Sequence, residues 1–132
     1  MALAMTTLLL DTHVALWMVG EPGRLGATTR SALERVDNDV IVSVASVWEA
    51  SIKAAQGRLR APAATWDVLE RSGVRIVAIE RADAVAAAQL PMHHRDPFDR
   101  MLIAQALERS AVLVTLDGWV GAYEVRSLLA DS

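Results

Sequence analysis

Four acidic residues, Asp11, Glu49, Asp99 and Asp117, are the side chains in this sequence best placed to do chemistry together. Carboxylates gathered at one point repel, so a cluster of them needs a cation or trapped protons. Oxygen ligands suit a hard ion, Mg2+ or else Mn2+. Mg2+ keeps several waters and takes phosphate oxygens as ligands; a metal of this kind makes hydroxide from water and stabilises a leaving oxygen. That combination points to phosphodiester hydrolysis. Other chemistries are excluded. There is no cysteine, hence no disulfide framework, thiolate metal site or cysteine nucleophile. No glycine-rich phosphate loop of the P-loop pattern is present.

Each acid also has a structural role open to it. Asp11 directly follows an apolar run and suits a helix N-cap. Glu49 lies beside a buried stripe that includes Ala45 and Ile52. Ser46 and Glu49 have capping-box spacing, and Glu49 with Lys53 makes an i,i+4 pair worth about 0.3 kcal/mol. Asp117 precedes Gly118, an ordinary turn pair. Asp99 is different. In Asp96-Pro97-Phe98-Asp99 the cap is Asp96 and the first helical position is Pro97, which leaves Asp99 without a capping task. Asp99 shares a helix face with Leu102, Ile103 and Ala106. An acid at the head of a buried stripe is costly unless it has a partner, and the nearby helix N-terminus steadies its charge.

The elements that must position these acids follow from periodicity. Short branched apolar runs at 7–10, 40–42, 74–79 and 112–115 read as strands buried on both faces. Helix-period stretches lie between them. Val14, Trp17 and Met18 share one face; further helices are predicted over 25–36, 44–56, 62–71, 82–89 and 97–109, with Gly57, Gly73 and Pro91 as stops. Alternating strands and helices predict an α/β fold with a mainly parallel sheet. In such sheets ligands bind at the carboxyl ends of the strands. Asp11, Glu49 and Asp117 each follow a strand, and Asp99 heads a helix, so all four are expected at or near one edge of the sheet.

At 132 residues the chain fits one domain, 1–132, long enough for a true core. A hydrophobic share of 53% against 22% charged residues describes a folded, soluble chain. The absence of cysteine suits a reducing compartment such as the cytoplasm. The apolar start, 1–10, is short, lacks a basic leading segment and is interrupted by Asp11 and His13, so neither a signal peptide nor a membrane span is expected. Met5 is an alternative start. The net charge of −3 runs against a broad basic nucleic-acid face. Any nucleic-acid binding must come from local basic residues or a bound cation.

Four blocks, taken in order, carry a family likeness. They are Leu9-Leu10-Asp11-Thr12-His13; Ser43-Val44-Ala45-Ser46-Val47-Trp48-Glu49; the run from His94 through Asp96-Pro97-Phe98-Asp99-Arg100 to Ala106; and Leu113-Val114-Thr115-Leu116-Asp117. The chain resembles PIN-domain ribonucleases, and among them the VapC-type toxins of bacterial toxin–antitoxin pairs. The likeness spans nearly the whole length, and the third block is its most specific part. It implies a PIN-like fold, a parallel sheet of about five strands flanked by helices, and an endoribonuclease that depends on Mg2+, with Mn2+ as the alternative ion. It also implies an RNA substrate, control by a cognate antitoxin protein, and a homodimer. By position Asp11 and Asp99 match the family's main metal ligands, Glu49 the third acid and Asp117 the fourth. Thr12 and Thr115 fall where the family has a supporting hydroxyl.

Other residues have weaker claims. The adjacent pair His93 and His94 lacks the spacing that puts two histidines on one helix face. Surface or packing roles are expected for both and for His13, which as the neighbour of Asp11 is the best candidate among them for a site role. Arg95 and Arg100 flank the third block and are candidate contacts to RNA phosphates, with ion pairs to nearby acids as their alternative. Trp17, Trp48, Trp66 and Trp119 are expected to pack, with Trp119 the best placed to stack on a base because it follows Asp117. Two competing functions need different residues. A receiver-type signalling module wants an acidic pair after the first strand and a lysine after the fifth, whereas only Asp11 ends strand one and the sole lysine is Lys53. A haloacid-dehalogenase-like phosphatase wants a second Asp where His13 stands. A catalytically idle partner-binding module is the remaining alternative, and RNA cleavage with metal and with chelator separates the two.

Overall fold

A computed structural model describes residues 5–132; the Trp119 side chain lies outside what it describes. The chain runs β1 (Thr7–Leu10), α1 (Thr12–Gly20), a 3-10 turn (Pro22–Arg24), α2 (Ala27–Glu34), β2 (Asp39–Ser43), α3 (Val44–Ala55), α4 (Ala64–Arg71), β3 (Arg75–Val77), α5 (Arg81–Gln89), α6 (Pro97–Glu108), β4 (Val112–Thr115), a second 3-10 turn (Gly118–Ala122) and β5 (Ser127–Leu129).

The strands form one five-stranded sheet in the order β3-β2-β1-β4-β5. Every neighbouring pair is parallel. Strand side chains alternate between faces. Leu8, Leu10, Val40, Val42, Val112 and Val114 therefore enter one core, with Val14, Ala15 and Leu69 from the covering helices. Leu9, Ile41 and Leu113, which stand side by side in register, enter the other with Leu102, Ile103 and Ala106 of α6. Helices on both sides explain why the central strands read as unbroken apolar runs. The α/β architecture expected from the sequence, a parallel sheet of five strands flanked by helices, is the one observed.

Several boundaries differ, each for a local reason. The second helix begins at Ala27, because Pro22 opens a 3-10 turn and Leu25 is extended and buried. The fourth begins at Ala64, two residues after Pro62. β3 is shorter than the apolar run that announces it. β5 carries only a short apolar stretch, Leu128 to Ala130, and is a half-covered edge strand paired with β4. α3 is capped by Ser43, whose hydroxyl accepts Ala45 N–H at 3.0 Å. Ser46 lies inside the helix, so the Ser46–Glu49 capping box does not form. α6 is capped as its sequence suggests, with Asp96 Oδ1 accepting the N–H groups of Phe98 at 2.8 Å and Asp99 at 3.2 Å.

The strand order reverses at β1. From β1 the chain builds outward through β2 to β3, then returns to add β4 and β5 on the other side. Connections leave β1 and β4 in opposite directions, opening a crevice at their carboxyl ends, the usual ligand position in such sheets.

Candidate active site

Asp11 emerges from β1 into that crevice. Its Oδ1 accepts Val14 N–H at 2.9 Å and caps α1. Its Oδ2 accepts the Thr115 hydroxyl at 2.6 Å and, more loosely, Leu116 N–H at 3.4 Å. The capping role and the site role thus coexist on two oxygens of one carboxylate. Burial pushes the Asp11 carboxyl above its ordinary value, and the hydrogen bonds from Thr115, Val14 and Leu116 oppose that rise.

Thr115 ends β4 and serves two acids. While its hydroxyl donates to Asp11, its Oγ1 accepts Asp117 N–H at 3.0 Å. The loop after β4 is thereby held against the end of β1.

Asp99 stands in the first turn of α6. Its carboxyl is pushed up to about 6, first by burial, then by the negative charge of Asp96, Glu49 and Asp117, against the opposing effect of His94. The carboxylates from α3, α6 and the β4 loop therefore feel one another. Glu49 is buried and doubly held: Thr12 Oγ1 donates to Oε1 at 2.6 Å, and Lys53 Nζ donates to Oε2 at 2.7 Å. The i,i+4 pair foreseen in the sequence is present, and it coexists with a place beside Asp99.

The tightest group among the described residues is His94, Asp99 and Asp117, whose ligand atoms all lie within 4.8 Å of one another. His94 Nε2 is 3.0 Å from Asp99 Oδ2 and 3.3 Å from Asp117 Oδ2. Asp11 stands outside this group, joined to it through Thr115. The expectation of a surface or packing role for His94 is corrected: its ring faces two of the acids. The expectation that His13 is the better placed histidine is corrected as well, since His13 is exposed on α1. Adjacent histidines carry no helical periodicity, so their spacing hid this; the position of His94 two residues ahead of the Asp96 cap was the only clue.

Arg100 is also corrected. It was a candidate phosphate contact, but it is 7% exposed and its guanidinium is used internally. Nη1 donates to the carbonyls of Pro91 at 3.0 Å and His94 at 3.1 Å; Nη2 donates to those of Ala87 at 2.8 Å and Leu90 at 2.9 Å. Arg100 clamps the loop that carries His94. Arg95 is exposed in the same loop. Trp48, next to Glu49, is 62% exposed and meets Phe98, next to Asp99, edge to face at 5.2 Å between centroids. Trp119, the expected stacking residue, has its side chain outside the described set.

The donor set fits a divalent cation. Carboxylate oxygens from separate elements converge, their mutual repulsion raises Asp99, and a cation relieves both the repulsion and the burial cost.

Comparison with known proteins gives a consistent result. The PIN domain family model matches residues 8–119. "Ribonuclease VapC22" of Mycobacterium tuberculosis is 38% identical over 116 residues, covering 86% of this chain and 88% of that protein. Among solved structures, VapBC2 from Rickettsia felis, bound to a DNA fragment from its promoter, superposes with a TM-score of 0.71 at 13% identity, covering 93% of this chain and 98% of the matched one. FitAcB from Neisseria gonorrhoeae superposes with a TM-score of 0.58 at 24% identity, covering 93% and 97%. At these identities the two structures speak to the fold.

Proposed function

Because the chain belongs to the PIN-domain family, we propose that it is a metal-dependent endoribonuclease, the toxin of a toxin–antitoxin pair, cutting RNA phosphodiester bonds at Asp11, Glu49, Asp99 and Asp117. The observation that carries this reading is the convergence of Asp99 and Asp117 beside the Thr115-tethered Asp11, at the carboxyl edge of the sheet. The likeness to Ribonuclease VapC22 supports RNA as the substrate.

Asp11, Asp99 and Asp117 would hold Mg2+, with Mn2+ as the alternative; Glu49 adds negative charge from α3. When bound, the ion supplies hydroxide from water at neutral pH and neutralises charge on the scissile phosphate. The chain's own contribution is placement. Thr115 orients Asp11 and the Asp117 loop together, Thr12 orients Glu49, and the α6 N-terminus steadies Asp99. Arg95, exposed in the loop that carries His94, is a basic residue for a phosphate contact. The acidic net charge then belongs in part to the site itself, since the cation is what attracts the RNA.

The reading extends to a cognate antitoxin, to a homodimer and to action in the cytoplasm, all implied by the VapC-type resemblance. No helix among the described residues is long and apolar enough to cross a membrane. The decisive experiment is RNA cleavage by purified protein with Mg2+ or Mn2+ and with chelator. Cleavage is expected only with metal, and Asp11→Asn or Asp99→Asn is expected to remove it while circular dichroism stays unchanged. Full activity in either variant overturns the site. Undiminished cleavage when the protein encoded by the neighbouring reading frame is bound overturns the antitoxin relation, and a monomer by light scattering at high concentration overturns the dimer.

A further inference from the structure

We propose that His94 is a positioning residue of the acidic cluster: its imidazole, fixed at Nδ1 and donating from Nε2, holds Asp99 and Asp117 together before a metal arrives and so raises the cluster's affinity for divalent ions. The inference rests on the metal-site reading given above and adds to it a residue that is neither an acid nor a ligand.

The argument begins with the backbone. His94 N–H donates to Tyr123 Oη at 2.9 Å, and His94 C=O accepts from Arg100 Nη1 at 3.1 Å. Tyr123 Oη in turn donates to Pro91 C=O at 2.8 Å. Two side chains from outside the loop thus fix it on both sides of the ring. The ring itself is fixed by a third contact, in which Nδ1 accepts Asp96 N–H at 3.1 Å.

That contact selects the tautomer. A ring nitrogen that accepts a backbone N–H carries no proton, so the ring's N–H is the one at Nε2. Nε2 faces Asp99 Oδ2 at 3.0 Å and Asp117 Oδ2 at 3.3 Å. Its single N–H is therefore shared between carboxylates from two elements, α6 and the loop after β4. A histidine that ligates metal through one nitrogen normally donates a proton from the other to a carbonyl or carboxylate. In His94 the other nitrogen meets a donor instead. The ring is set up to donate to the acids, not to bind the ion.

The consequence is preorganisation. Without a donor between them, Asp99 and Asp117 repel and swing apart, and a metal must bring them back. With the shared N–H, Asp99 Oδ2 and Asp117 Oδ2 are held together in the crevice before the ion arrives. Lost preorganisation in the groups that orient metal ligands typically weakens binding by about 10–100-fold.

The test uses the full chain and Mn2+ as the probe. Mn2+ titration followed by electron paramagnetic resonance is expected to show His94→Ala binding about 10-fold or more weakly than wild type. His94→Gln, whose amide N–H reaches the same place, is expected to recover most of that loss. On metal-free wild type, long-range proton–nitrogen correlation spectra are expected to show His94 Nδ1 unprotonated and Nε2 protonated, a readout that does not depend on how any variant folds. Mn2+ affinity of His94→Ala equal to or tighter than wild type, no recovery in His94→Gln, or a proton on Nδ1 overturns the inference. Wild type that takes up no Mn2+ overturns the metal-site reading itself, and this inference with it.

Discussion

The Thr115 hydroxyl lies 2.6 Å from Asp11 Oδ2, joining the carboxyl ends of β4 and β1 across 104 positions of sequence. Its oxygen also receives Asp117 N–H. One small side chain therefore sets the position of two acids at once, at the point where the strand order reverses. Thr115 is buried, so water does not compete for these bonds.

Thr115→Val keeps the shape and removes the hydroxyl. It is expected to reduce metal affinity and RNA cleavage by about 10–100-fold, as loss of a partner that orients a metal ligand does. Thr115→Ser retains the donor and is expected to stay within a few-fold of wild type. Mn2+ titration and initial cleavage rates check both. A fully active Thr115→Val shows that Asp11 and Asp117 need no tether.

Asp99 makes the metal-free protein depend on pH. Its folded-state carboxyl sits at about 6, above the ordinary 3.8. Between those values the folded chain binds more protons than the unfolded chain, so stability falls as pH rises through about 6. Asp11, also raised by burial, acts in the same direction. Asp99→Asn removes the larger part, and its Tm at pH 7 in chelator is expected to exceed wild type by a few degrees. Melting curves at pH 5 and pH 7 check this; a wild-type Tm that rises with pH across that interval contradicts it.

Arg100 is expected to matter for stability before it matters for RNA. Arg100→Ala removes the guanidinium donor from the carbonyls of Ala87, Leu90 and His94, and leaves that of Pro91 with the Tyr123 hydroxyl alone. Hydrogen bonds to a charged group contribute about 1.5–3 kcal/mol each when intact, and partial relaxation of the loop returns some of that, so a loss of about 3 kcal/mol is expected. Arg100→Lys is expected to recover little, because an ammonium cannot reproduce the planar fork. Urea unfolding measures both. A variant with wild-type stability and weakened RNA binding restores the phosphate-contact role.

Lys53→Met separates the two roles of Glu49. The pair is 2.7 Å long, with Glu49 buried and Lys53 partly exposed. Removing the ammonium leaves a buried carboxylate held by Thr12 alone, at an expected cost of about 1–3 kcal/mol in metal-free protein. The same change removes a cation near the cluster, so Mn2+ affinity is expected to rise. Calorimetric titration and thermal melts in chelator decide it; weaker Mn2+ binding with unchanged stability contradicts both halves.

The legible parts of the site were those governed by local rules. Asp96 capping α6, Pro97 at its first position and Glu49 paired with Lys53 are spacings within one helix, and each is present in the fold. The errors fall where a partner from elsewhere decides. Ser46 and Glu49 have the right spacing for a capping box, but the β2–α3 junction places the cap at Ser43. By sequence Arg100 is a surface base beside acids; in the fold the end of α5 and loop 90–94 close over it and supply its acceptors. β5 is not legible in the sequence because its apolar stretch, Leu128 to Ala130, is short and follows polar residues, and the strand is an edge exposed at both ends.

From its order of residues alone, this chain determined that its acids would meet an edge of the sheet. Parallel strands all present their carboxyl ends on one side, and Asp11 and Asp117 follow strand runs directly, so chain direction places them. The helix stripe behind Asp99 likewise turned that acid toward the core. Tertiary structure decided which atoms converge. Strand order put β4 beside β1 and so brought Thr115 to Asp11. The clamp of Arg100 and Tyr123 carried His94 to Asp99 and Asp117. Such contacts depend on the packing of elements distant in sequence, and neither spacing nor periodicity encodes them.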